Sequence, residues 1–167
     1  MNEEFMKARE LVELEQFKFY TNKMGLSASV FPVSDKNPVN VLIISLDNNI
    51  NLNIMFIPIH YDQFTQISLM QLYAILQEKI NVPNSNLFLL LNAINEKNPL
   101  GQFFIDDQGE LAYKHVFTKV KTEFLSEIYF IELLSIIIPS ITSHTIILRE
   151  FILGKITIDS AIISLEL

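Results

Sequence analysis

No cysteine occurs anywhere in the chain, which removes disulfide scaffolds, thiolate metal sites, cysteine nucleophiles and redox pairs together. Glycine is nearly as scarce. The four present, Gly25, Gly101, Gly109 and Gly154, fall where turns and helix ends need punctuation. They form no phosphate loop of the Walker type and no dinucleotide-binding fingerprint, and no Gly-x-Ser-x-Gly elbow exists for a serine hydrolase. Positive charge is short as well: 12 basic residues against 19 acidic ones leave a net charge of −7. A nucleic-acid binder needs a basic footprint, and so does a protein that lies on an anionic membrane, so neither partner is expected. No apolar run reaches the roughly 20 residues of a membrane span. The nearest, over residues 128–138, is interrupted by Glu132 and stopped by Pro139. The opening MNEEFMKAREL is acidic and lacks the apolar stretch of a signal peptide, which points to the cytoplasm.

What the chain has in quantity is apolar side chains. Half of its 167 residues are hydrophobic, 13 are phenylalanine, and the mean hydropathy is +0.31. The length suits one domain over residues 1–167 with a real core. The apolar surplus implies either a generous core or apolar surface kept for a partner.

Periodicity divides the chain into elements. Residues 2–24 read as a helix capped by Asn2, with Phe5, Ala8, Leu11, Val12 and Phe19 on its apolar face and Gly25 ending it. Strands are expected over 26–33, 41–46 and 51–57, with a turn at 47–49. In the third strand Leu52, Ile54 and Phe56 point to one side. A helix is expected over 67–80, stopped at 81–83, and a doubly buried strand, LFLLL, over 86–91. Strands over 101–105 and 110–117 flank a hairpin turn at Asp106, Asp107 and Gly109. Helix returns over 123–138, breaks at Pro139, resumes over 140–153 and closes with a short piece over 156–165. This order describes an α+β domain: an antiparallel sheet with N-terminal, middle and C-terminal helices packed on it.

Candidate chemistry is sparse. His60, His115 and His144 form no metal-spaced pair, and His60 with Asp62 is a common loop combination. Asp106 and Asp107 sit too close to Gly109 and the next strand for a calcium loop, so turn geometry accounts for them. Asn92 and Asn95 suit local backbone hydrogen bonds better than peptide capture. No catalytic residue, cofactor site or metal site is expected. The densest apolar run, 128–138, nearly encircles one helix, and such a helix needs cover on all sides, from its own core or from a partner. Candidate partner-binding residues are therefore Val41 and Ile43 on the second strand and Tyr129, Phe130, Leu133 and Ile137 on the helix.

Leu91-Asn92-x-x-Asn95, then Gly101-x-Phe103, then Asp107-x-Gly109-x-Leu111 resembles the strand–loop–hairpin signature of the YbjN-like proteins. That group shares the fold of type III secretion chaperones. The resemblance implies a small acidic protein, not an enzyme, often homodimeric, that holds a polypeptide segment or modulates another protein. The expected function is that of a protein- or peptide-binding chaperone or adaptor. The alternatives are an immunity- or antitoxin-like protein that blocks one target, and a small-molecule-binding regulatory domain. A deep polar pocket beside one of the histidines would favour the last.

Overall fold

The computed structural model describes residues 3–35, 37–46, 50–61, 63–80 and 84–165. Its elements run α1 (Glu3–Lys23), β1 (Ser27–Phe31), β2 (Val41–Leu46), β3 (Leu52–Ile59), β4 (Ile67–Gln77), α2 (Ser85–Lys97), β5 (Gln102–Ile105), β6 (Leu111–Val120), α3 (Glu127–Ile152) and α4 (Ile158–Ser164). The fold is α+β, as expected. The six strands make one antiparallel sheet in the order β1-β2-β3-β4-β6-β5, with N-terminal, middle and C-terminal helices packed on it. The expected cap Asn2, the turn at 47–49, the helix stop at 81–83 and Asp62 lie outside the described residues.

The chain gathers into two compact units. The first is Met1–Ala74 with His115–Leu134; the second is Ile75–Lys114 with Ser135–Leu167. In the first unit β2 and β3 pair in a register that sets Leu42 against Phe56, Ile44 against Ile54 and Leu46 against Leu52. All six side chains are buried, as period-two alternation demands of a sheet with one covered face. Pro58 is tolerated because the β2 partners end at Phe56, so its missing N–H breaks no ladder on that side. Phe17 of α1 stacks on Phe130 of α3 at 4.4 Å, and Phe56 of β3 meets Phe130 at 5.4 Å. Truncating one such ring to alanine typically costs about 3–5 kcal/mol.

In the second unit α2 buries Leu87, Leu90, Leu91 and Ile94, the i, i+3, i+4, i+7 stripe of an amphipathic helix. Asn84 caps it, its side chain accepting from the Leu87 N–H at 2.9 Å. Asn95, on the same helix, pairs with a strand. Its Oδ1 accepts from the Phe103 N–H at 2.8 Å, and its Nδ2 donates to the Phe103 carbonyl at 2.9 Å. One side-chain amide thus supplies both bonds that a neighbouring strand would have made to Phe103 on the outer edge of β5. Asp106 Oδ1 accepts from the N–H groups of Gln108 and Glu110, both at 2.9 Å, which is the expected turn.

Four sequence expectations need correction. Residues 67–77 are a strand, not a helix: Met70, Leu72, Ala74 and Leu76 are buried at strict period two. Residues 86–91 belong to α2, not to a strand, so Leu91, Asn92 and Asn95 are helical and the strand–loop part of the YbjN-like signature does not describe them. The helix over 123–153 is not broken: α3 runs through Pro139. It is the one described helix long and apolar enough to cross a membrane by length and composition; it buries Phe130, Leu134, Ile137, Ile141 and Leu148 and leaves Ile128, Tyr129, Ile136 and Ile146 exposed. Finally, α1 is turned over. Its buried residues are Glu13, Leu14, Phe17 and Thr21, while Phe5, Val12 and Phe19 face outward.

Candidate functional site

Helical spacing places Arg9, Glu10 and Glu13 on the face of α1 that meets the sheet. There they line a small cleft of about 30 Å³, together with Pro58 and His60 from the end of β3, Ser68 and Met70 from β4, and Lys119 and Lys121 from the end of β6. A strand contributes alternate residues to one face, which is why Ser68 shares the cleft side with buried Met70.

Glu13 is almost wholly buried and is fully partnered. Its Oε2 lies 2.8 Å from Lys119 Nζ, and its Oε1 accepts from the Leu125 N–H at 3.2 Å. Lys119 Nζ also donates to the Glu123 carbonyl at 3.0 Å. A buried pair of this kind contributes little net stability, but removing one partner strands a charge and costs about 3–5 kcal/mol. Glu10 takes His60 Nε2 at 2.7 Å and the Asn40 Nδ2 at 3.4 Å. Burial pushes the Glu10 carboxyl above the usual carboxylate range, and His60, Asn40 and Lys119 pull against that while Glu13 adds to it. Asn40 is itself buried and ties three segments, donating to the Lys7 carbonyl at 3.0 Å and accepting from the Val33 N–H at 3.1 Å.

Two groups in the cleft are unpartnered. Arg9 Nε and Ser68 Oγ are buried and make no hydrogen bond. The Arg9 guanidinium rests on the Phe124 ring, 4.7 Å from its centroid. Lys121 Nζ reaches only a carbonyl, that of Phe64, at 3.2 Å. Among the described residues no carboxylate pairs with Arg9 or Lys121. Among the described residues Ser68 Oγ contacts no imidazole.

His115 lies in β6 with its ring near Phe117, and burial lowers its pKa below the ordinary 6.5. His144, in α3, is lowered by burial and partly restored by its bond to Ser140. Ser140 Oγ donates to Asn98 Oδ1 at 2.8 Å and lies 3.3 Å from His144 Nδ1. Asn98 Nδ2 then bonds the Leu100 and Gly101 carbonyls. The serine proton is committed to Asn98, so this chain tethers the 98–101 loop to α3 and does not activate a nucleophile. Among the described residues no group of three His, Asp or Glu side chains could hold a metal ion.

Most expected partner-binding residues are covered by their own chain. Val41, Phe130, Leu133 and Ile137 are core residues, and Ile43 is half-buried. Only Tyr129 is open, at 45% exposure. The error has one cause: an apolar run cannot show which of its side chains the rest of the chain will cover. The open apolar surface lies on α1 instead. Phe5, Val12 and Phe19 are 58%, 51% and 57% exposed, seven residues apart, on the face opposite Leu14 and Phe17. Beside them a shallow groove runs along Leu11, Glu15, Gln16 and Tyr20 to Glu127. The seven-residue spacing is visible in the sequence, but periodicity alone gives it no side, and the expected core face of α1 is the one the structure turns outward.

No protein-family model matches the chain, and no curated protein matches it. Among solved structures it is similar to an uncharacterized protein from Methanothermobacter thermautotrophicus, with a TM-score of 0.46 and 9% identity over 87% of this chain and 99% of that one.

Proposed function

We propose that the protein is a non-enzymatic, protein-binding module of the adaptor or chaperone kind, working in the cytoplasm, and that the outward stripe of α1 is its contact with a second copy of the same chain. The observation that carries this reading is the Phe5–Val12–Phe19 row. An exposed apolar stripe at seven-residue spacing is the seam by which one helix pairs with another. The row is also symmetric about Val12. A two-fold axis at Val12 sets Phe5 of each copy against Phe19 of the other, the self-complementary contact that a closed dimer requires. The opposite face of α1 is already anchored by Leu14 and Phe17, so pairing asks for no rearrangement of the core. The net charge of −7 suits a protein that stays in solution.

Sedimentation equilibrium tests the reading. The expected result is a dimer at micromolar concentration that Val12→Glu converts to a monomer with unchanged far-ultraviolet circular dichroism. A monomer for the unaltered chain at 100-fold higher concentration, or a dimer untouched by both Val12→Glu and Phe19→Glu, overturns it.

A further inference from the structure

The α1–sheet cleft carries an observation that the dimer contact leaves unused. Its charges do not balance. Arg9, Lys119 and Lys121 bring three positive charges against two from Glu10 and Glu13, inside a chain whose net charge is −7. The pairing is also uneven. Glu13 is satisfied by Lys119, and Glu10 by His60 and Asn40, which among the described residues leaves no acid paired with Arg9 or Lys121. Next to these cations sits a buried hydroxyl, Ser68 Oγ, with nothing to bond, and Arg9 Nε is equally unsatisfied.

Buried donors without acceptors are rare in folded proteins, because each forfeits its hydration without replacement. Here the unsatisfied groups are not scattered. Two of the three buried side-chain atoms without partners among the described residues line this one cleft. Both can donate hydrogen bonds, and Lys121 adds a third donor. The missing complement is a compact group with several acceptor oxygens and a negative charge. A guanidinium matches such a group with its planar fork of N–H donors, and a hydroxyl supplies one further bond. The cleft is narrow and walled by Pro58, Leu69 and Met70, so it suits a charged head and excludes a bulky polar ligand.

We propose that the cleft between α1 and the sheet binds a small oxyanion, a carboxylate or phosphate head, held by Arg9, Ser68 and Lys121. The Glu13–Lys119 pair serves as the fixed wall of the site, and the His60–Glu10 pair closes its β3 end. Binding there uses residues of a single chain, with Arg9 one helical turn from both Phe5 and Val12 of the α1 stripe. Because the ligand would satisfy donors from α1, β4 and the β6 end at once, it would lock the helix to the sheet.

The test is a titration of the full chain, followed by amide nuclear magnetic resonance, with inorganic phosphate, with acetate and with chloride at one fixed ionic strength. Fixed ionic strength removes general screening of the surface charges. The expected result is saturable shifts at Ser68, Leu69 and Lys121 with phosphate or with acetate, and none with chloride; whichever anion saturates identifies the head. Ser68→Ala, which removes one hydroxyl and leaves the fold's charges intact, should weaken the apparent affinity about tenfold, and Arg9→Gln should abolish saturation. Shifts that rise linearly and equally with all three anions overturn the proposal, as does saturation left unchanged by Ser68→Ala. Should Arg9→Gln fail to fold, Lys121→Met replaces it, with the same loss expected and undiminished binding counting against the site.

Discussion

Gly101 shows how much can rest on one hydrogen atom. Its backbone takes φ +72°, a region that side chains rarely adopt. A Cβ there would also run into the Tyr113 phenol and approach the Lys114 carbonyl to 2.7 Å. The phenol cannot easily move away, since Tyr113 is fully buried and its hydroxyl donates to the Leu100 carbonyl at 2.7 Å. That burial pushes the Tyr113 hydroxyl up to about 12. Gly101→Ala should therefore destabilise the protein by more than about 2 kcal/mol, the sum of backbone strain and a displaced buried bond. Urea unfolding measures it, and a loss below about 0.5 kcal/mol would show that the loop relaxes freely.

At the scale of elements, α3 offers the sharpest test. Pro139 lies inside the helix and exposed, with no N–H to give to the carbonyl four residues before it. Ser143 Oγ donates to the Pro139 carbonyl at 2.9 Å and so supports the weakened turn. Pro139→Ala should restore the backbone bond and stabilise by about 1–3 kcal/mol. For a chain of this size that is a rise in melting temperature of roughly 2–12 °C. A fall on calorimetry would mean that the ring shapes the helix path the cores require. The same proline marks the limit of what was legible in the sequence. A breaker signals a helix end only when packing does not hold the helix across it, and here Ile137 and Ile141 are buried on either side. The α+β class, β2, β3 and the β5–β6 hairpin were readable because alternation and turn chemistry agreed. Residues 67–77 were not, because Ile67, Met70, Tyr73 and Leu76 satisfy a helical period while Met70, Leu72, Ala74 and Leu76 satisfy a strand; pairing of β4 with β3 settles it. The LFLLL run misleads in the opposite sense: five residues are too few to show that the stripe continues to Ile94, although Asn84 is a readable cap. Of the polar cleft, only the residue types could be seen. His60 and Glu10 are 50 positions apart, and nothing local announces their contact.

The whole molecule should respond to acid through its buried histidines. Burial lowers both His115 and His144 below their unfolded value of 6.5. Below pH 6.5 the unfolded chain binds protons that the folded chain refuses, so folding stability is complete above 6.5 and falls as the pH drops toward the lowered values. Glu10 acts with the opposite sign and at lower pH. Its folded value is raised, so stability falls as the pH rises from 4.5 through that value and is regained on acidification. Thermal unfolding followed from pH 8 to pH 5.5 should show a declining midpoint, and the double variant His115→Gln, His144→Gln should flatten the decline. An unchanged slope in that variant would assign the acid response elsewhere.

The bond pair between Asn95 and Phe103 has a consequence for growth. A sheet can recruit strands from other molecules at two borders, here β1 and β5. A filament needs both borders of every molecule, one to receive and one to offer. With the backbone of Phe103, in the middle of the short β5 border, already held by an amide of its own helix, an incoming strand there must first displace Asn95, while β1 carries no such cover from that helix. Growth through the sheet is thereby biased toward one border.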